Sequence, residues 1–155
     1  VLTPLHERLT ELANEHALPC ADPIWYRDLD RDGYGDKQVS LRAAKQPPGH
    51  VSNALDCYDE NPEVHPGQTR YYEQHRGDRS FDFDCDGKAA KRDDFVTGGC
   101  HSSSILGIPT KCWADAGWAA SSPACGEQGR WLAECEISTL SCEPARELRN
   151  TQTCR

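Results

Sequence analysis

The chain has 155 residues, enough for one domain or two small ones, with a formal net charge of −8 and nine cysteines. Leu, Ile, Val and Phe supply only 24 of those residues, below the roughly 20% at which a charged chain stops folding on aliphatic burial alone. The acidic balance and the lack of any basic stripe exclude nucleic acid as a partner, and no apolar run approaches the ~20 residues of a membrane span.

Sulfur and aspartate are the abundant resources, and small cores lean on two devices that use them: disulfides and bound cations. No C-x2-C or C-x4-C pair occurs, so the cysteines do not read as zinc ligands. Their number fits an oxidising, extracellular compartment. The start at Val1 and the absence of Met fit a mature secreted chain whose leader has been removed.

Three regions follow in chain order: an N-terminal amphipathic helix over 1–19, an Asp-rich calcium-binding module over 20–97, and a Cys-rich disulfide-stapled module over 98–155. In the first, Thr3 is the N-cap, Pro4 the first helical residue, Leu5, Leu9 and Leu12 share a face, and Pro19 stops the helix. The second holds thirteen of the fourteen aspartates. Asp is the short carboxylate that suits turns and tight oxygen cages, and the glycines among them predict loops with little regular structure. Only Pro23, Trp25 and Tyr26 read as extended. In the third, Cys100, Cys112, Cys125, Cys135, Cys142 and Cys154 can pair internally in any of fifteen ways. A short strand is expected over 130–137, and Trp113, Trp118 and Trp131 are expected to fill a thin core. The fold class is a small, irregular, loop-rich protein, stabilised by metal and disulfides, with a short N-terminal helix and a few short strands.

The chemistry concentrates in Asp28-Leu29-Asp30-Arg31-Asp32-Gly33-Tyr34-Gly35-Asp36, where alternating carboxylates precede a glycine, as in the front of a calcium loop. The twelfth position, a bidentate Glu in an EF-hand, is Val39, so the remaining ligands must come from elsewhere. Asp56-Cys57-Tyr58-Asp59-Glu60-Asn61-Pro62 and Asp82-Phe83-Asp84-Cys85-Asp86-Gly87 are the available clusters.

With Trp25-Tyr26-Arg27 ahead of the first loop, and Pro48-Gly49-His50-Val51 and Val64-His65-Pro66-Gly67 between the clusters, residues 25–88 resemble the bacterial putative metal-binding motif proteins related to thrombospondin type 3 calcium-binding repeats. The resemblance implies an extracellular module wrapped around Ca2+. Its first site would use Asp28, Asp30, Asp32, the Tyr34 carbonyl, Asp36 and Asp56, and its second Asp59, Asn61, the Val64 carbonyl, Asp82, Asp84 and Asp86. Two cysteines usual in such modules are replaced by the stretches at 42–45 and 73–76. This implies that Cys57 and Cys85 bond each other, the alternative being that one of them pairs with Cys20. The 131–155 segment is similar in content to a thrombospondin type 1 module but has fewer tryptophans.

The functional expectation is a secreted, non-enzymatic calcium-binding structural protein of the bacterial cell exterior that self-associates into a fibre or pilus. The alternatives are a monomeric adhesin that binds a cell-surface ligand, and a copper- or zinc-binding protein using His50, His65, His75 and His101. No two histidines sit at i and i+4, which weakens the last. No G-x-S-x-G, P-loop or H-E-x-x-H element occurs, and Cys100-His101 are sequence neighbours that rarely face one another.

Overall fold

A computed structural model describes residues 21–155, so the expected helix over 1–19 and the ninth cysteine, Cys20, lie outside the described residues. The described part is strand-rich and loop-rich, with ten short strands and no helix. β1 (Ile24–Arg27), β2 (Ser40–Arg42) and β3 (His50–Val51) form an antiparallel sheet in the order β2-β1-β3. β1 is the Ile-Trp-Tyr run expected to be extended, for aromatic and β-branched side chains suit a pleated surface. The Trp25 indole donates to the Ala43 carbonyl at 2.9 Å and pins β2 beside it. This sheet launches the first acidic loop from Arg27. Gly35 closes the loop where a Cβ would lie 2.6 Å from both the Asn53 carbonyl oxygen and the Tyr26 Cβ.

Residues 52–100 contain no strand longer than an isolated bridge. Turns, side-chain hydrogen bonds and one disulfide, Cys57–Cys85, hold them together. That is the cystine implied by the family resemblance. Beneath it Val64 and Phe83 are buried, and Phe83 stacks on Tyr72 with ring centroids 4.0 Å apart.

The C-terminal third carries β4 (His101–Ile105), β5 (Ile108–Trp113), β6 (Gly117–Trp118), β7 (Gln128–Leu132), β8 (Cys135–Ser138), β9 (Ser141–Pro144) and β10 (Glu147–Thr151). β4–β5 and β8–β9 are two-stranded hairpins, and β10-β7-β6 is a small antiparallel sheet. Isolated two-stranded hairpins are marginal in water. Here Cys100–Cys135 and Cys112–Cys142 bolt the two hairpins together, and Cys125–Cys154 ties the turn before β7 to the end of the chain. All eight cysteines among the described residues are thus paired, and the six of this region pair among themselves.

Two expectations need correction here. The strand expected over 130–137 is divided: β7 ends at Leu132 in one sheet and β8 begins at Cys135 in another. Leu132 turns inward beside Trp118, whereas Cys135 is drawn to Cys100, and the chain changes sheets between them. The three tryptophans also do not share one core. Trp118 is buried, with Trp131 edge-on to it at 5.1 Å, whereas Trp113 stays exposed beside His101.

The two halves meet along the last residues. Tyr72 and Cys154 exchange backbone hydrogen bonds of 2.8 and 3.0 Å, and Ala90 and Arg155 exchange bonds of 2.7 and 2.9 Å. Gln152 and Cys154 are among the most buried of the described residues. The C-terminal tail therefore serves as a strand-like strut between the acidic loops and the disulfide-rich sheets.

Candidate metal centre

The first acidic loop is organised by its own aspartates. Asp30 Oδ1 accepts the Asp32 amide at 3.2 Å, and Asp32 Oδ1 accepts the Tyr34 amide at 2.8 Å. From the second cluster, Asp56 Oδ1 accepts the Tyr58 amide at 2.8 Å. Each carboxylate thus spends one oxygen on a local turn, the use for which Asp is suited. The other oxygen in every case, Oδ2 of Asp30, Asp32 and Asp56, is buried without a hydrogen-bond partner, and Asp28 Oδ1 shares that condition. Asp56 as a whole is only 6% exposed.

The carboxylates that carry these oxygens lie close together. Asp28, Asp30 and Asp32 bring oxygens within 4.8 Å of one another, and Asp30 does the same with Asp56 and Asp59. Asp30 belongs to both groups, so it links five carboxylates as two adjoining sets. Asp59 Oδ1 accepts the Leu29 amide at 2.7 Å, and its Oδ2 accepts Arg27 Nε at 2.8 Å. Arg27 is a half-exposed countercharge at the rim. One guanidinium does not balance five carboxylates. At an effective dielectric of ~20, two anionic oxygens at such spacing repel by about 3 kcal/mol, and a buried oxygen without a partner costs a further ~1–3 kcal/mol. A cation in the middle removes both costs. Without it, burial pushes the Asp30 and Asp32 carboxyls upward and Asp56 to about 6, with neighbouring aspartates adding to each shift.

The arrangement divides the expected ligands differently from the two-site scheme. Asp59, assigned to a second site, stands in the first cage. Asp36, assigned to the first, turns to the rim: its Oδ2 accepts Arg27 Nη2 at 3.3 Å and its Oδ1 the Gln38 amide at 2.7 Å. Asn61 is consumed structurally, its Oδ1 accepting the Glu63 amide and its Nδ2 donating to the Arg76 carbonyl. Its backbone amide donates to the Tyr58 carbonyl at 3.3 Å. The carbonyls of Tyr34 and Val64 accept no hydrogen bond among the described residues, which leaves both open to a ligand.

Asp82, Asp84 and Asp86 form a separate cluster. Asp82 accepts the Asp86 and Gly87 amides, and Asp86 accepts that of Lys88. Asp84 Oδ2 lies 2.8 Å from Arg155 Nε, while its Oδ1 is buried and unpartnered. Arg76 Nη1 stands 4.0 Å from Asp82. Two arginines therefore offset much of this cluster's charge, and it is the weaker candidate. The Cys57–Cys85 disulfide joins the two clusters, since Cys57 follows Asp56 and Cys85 lies between Asp84 and Asp86. Its sulfurs are bonded to each other and offer no thiolate.

No histidine joins any cluster of metal-ligating groups among the described residues. His65 stacks on Tyr34, His75 meets Phe81 edge-on, and His101 lies against Trp113. The donors are oxygens alone, the set that suits hard cations rather than copper or zinc. Sequence reasoning missed the role of Arg27 and the linked set formed by Glu63, Arg70 and Tyr72. In that set the Tyr72 hydroxyl donates a short hydrogen bond to Glu63, and Arg70 lies 3.0 Å from the same carboxylate. That hydrogen bond holds Glu63 below its ordinary range, while burial and the same bond push Tyr72 up to about 12. Comparison of the chain with protein families, with curated proteins and with solved structures gives no match.

Proposed function

We propose that the protein is a non-enzymatic, calcium-stabilised structural module of the bacterial cell exterior, in which Ca2+ fills the cage of Asp28, Asp30, Asp32, Asp56 and Asp59. The observation that carries this reading is that Asp28, Asp30, Asp32 and Asp56 each bury a carboxylate oxygen with no hydrogen-bond partner, in two groups that meet at Asp30. Calcium takes 6 to 8 oxygens at ~2.3–2.6 Å and tolerates irregular geometry, which suits side chains gathered from two loops. The four disulfides are consistent with an extracellular location. The likeness of residues 25–88 to thrombospondin type 3 repeats points to the same ion.

Self-association supplies the role for such a stiff module. Leu106 at the β4–β5 turn is 98% exposed, and Ile105 and Leu140 are 68% exposed on the tips of the two cross-linked hairpins. Apolar groups presented this openly suit contact with a second copy. A fibre or pilus subunit elongates head to tail, whereas a monomeric adhesin elutes at 17.3 kDa. Size-exclusion chromatography and electron microscopy distinguish them.

The ion is tested by thermal melts and calorimetric titration with Ca2+, Mg2+ and Zn2+ after treatment with a chelator. Extracellular sites bind in the ~10⁻⁴–10⁻³ M range or somewhat tighter. Calcium at a hundredfold excess over Kd adds about 2.7 kcal/mol, a rise in Tm of roughly 5–10 °C for a chain of this size. A melt insensitive to chelator and to added calcium overturns the proposal.

A further inference from the structure

Along the C-terminal strut, lined in part by Thr151 and Thr153, lies an open cleft of roughly 400 Å³ that the calcium reading does not use. It falls within the ~300–1,000 Å³ of small-molecule pockets. At its back Trp118 is buried, its indole donating to the Asp93 carbonyl at 2.7 Å. Trp131 stands edge-on against Trp118 and is only half-buried. In the antiparallel register Trp131 pairs with Leu148 and Gly129 with Asn150, so Trp131 and Asn150 lie on one face of the β10-β7-β6 sheet. Gly129 is required there, because a Cβ would meet the Pro123 ring at 2.4 Å and the Trp118 ring at 3.0 Å.

The rim is polar and unoccupied by structural duties. The side chains of Asn150, Thr151 and Glu73 have no hydrogen-bond partner among the described residues. Asp93 makes only a loose ion pair with Arg92, at 3.7 Å. The cleft thus offers two indoles, an amide, two hydroxyls, two carboxylates and a guanidinium, of which only the indoles are apolar.

We propose that this cleft binds a neutral hexopyranose unit of a surface polysaccharide. A pyranose has an apolar face of C–H groups and a rim of hydroxyls that donate and accept together. The indole of Trp131 supplies a rigid flat surface for that face, and the planar amide, carboxylate and guanidinium groups can each engage adjacent hydroxyls. Glu73 and Asp93 against a single Arg92, on a chain of net charge −8, disfavour sulfated or uronic sugars. The inference stands apart from the calcium cage.

The test is an NMR titration of the isotope-labelled chain with oligosaccharides of glucose, mannose, galactose and N-acetylglucosamine, and with a sulfated and a uronic oligosaccharide as acidic counterparts. The four tryptophan indoles give separate signals. Binding moves those of Trp131 and the Asn150 side-chain amide with at least one neutral sugar, and leaves Trp25 and Trp113 unmoved. Asn150→Ala and Asp93→Ala, both exposed, weaken that binding about five- to tenfold, as expected for the loss of single hydrogen bonds, with no change in Tm. Trp131→Ala abolishes it, but its loss of packing makes the two rim variants the decisive ones. The proposal is overturned if no neutral sugar at tens of millimolar shifts Trp131, if an acidic sugar binds more tightly, or if both rim variants bind as the parent does.

Discussion

Asp56→Asn separates a cage built for an ion from a cage that merely tolerates its own charge. The substitution keeps the Oδ1 atom that accepts the Tyr58 amide at 2.8 Å and removes the negative charge from a residue 6% exposed. Burial, with Asp32, Asp30 and Asp59 nearby, raises this carboxyl from 3.8 to about 6. Near neutral pH, ionising it costs on the order of 2 kcal/mol in the ion-free protein. Asparagine removes that cost, and its amide can donate to the carboxylates around it. Chelated Asp56→Asn therefore melts higher than the chelated parent, by about 4–8 °C. With calcium the sign reverses, because a charged ligand has been lost. Affinity falls at least tenfold, about 1.4 kcal/mol, and the calcium-dependent rise in Tm shrinks. Paired scanning calorimetry in chelator and in 10 mM calcium, with calorimetric titration for Kd, reads both effects. The reasoning is refuted if Asp56→Asn raises Tm equally in both buffers, for then the charge is a burden that no ion relieves.

Three further outcomes follow from the same geometry. The raised carboxyl of Asp56 means that the folded, ion-free protein holds a proton which the unfolded chain releases near 3.8. Chelated stability should therefore fall as pH rises from about 4 to 6, while calcium affinity climbs over the same window as protons cease to compete; urea melts at several pH values that show no such opposition contradict the assignment. Replacing both Cys57 and Cys85 by Ser opens a loop of 28 residues and should cost about 3–4 kcal/mol by the loop-entropy relation. It should also weaken calcium binding by freeing Asp56 from Asp84, so unchanged affinity in the still-folded variant would show that the cystine does not align the cage. Gly35→Ala forces a Cβ to within 2.6 Å of the Asn53 carbonyl and the Tyr26 side chain. It should lower Tm by several degrees and weaken calcium binding, as a melt and a titration will read; a neutral result would show that the loop entry adjusts freely.

What the sequence disclosed is set by the range over which its signals act. Alternating aspartates before Gly33 act over a few residues, and the turns they predict are present, each bonded to the amide two positions on. The extended Trp25-Tyr26 segment became β1 for the same local reason. Which distant carboxylate completes a cage is a different question. It depends on how the 52–100 segment folds back, with no periodic pattern to report it. Asp59 consequently lies in a group with Asp30 and Asp56, whereas Asp36 bonds Arg27 and the Gln38 amide. Arg27 bridges the two, 3.3 Å from Asp36 and 2.8 Å from Asp59. The break between β7 and β8 was equally hidden, because 128–138 alternates well enough for a single strand. Pairing of β8 with β9 and the Cys100–Cys135 bond hold the second half in another sheet.

The same contrast explains how so little aliphatic mass supports a fold of this length. Among the described residues, buried apolar side chains include Val64 and Phe83 near the acidic loops and Trp118 and Leu132 in the C-terminal sheet. Neither pair is large enough to organise the surrounding loops by hydrophobic burial. The residues between them are polar or cross-linked: Gln152 is almost wholly buried, Cys154 is bonded to Cys125, and Arg155 reaches Asp84. Backbone pairing of this tail with Tyr72 and Ala90 on one side, and of Gln152 with Gly126 and Glu127 on the other, makes it the element through which ordering in one half is felt in the other. An ion that fixes Asp56 acts through the adjacent Cys57–Cys85 bond on Asp84, and through Arg155 on the strut itself. Charge, cystine and backbone hydrogen bonds therefore lie along one connected route, and the stabilisation expected from calcium is not confined to the loop that holds it.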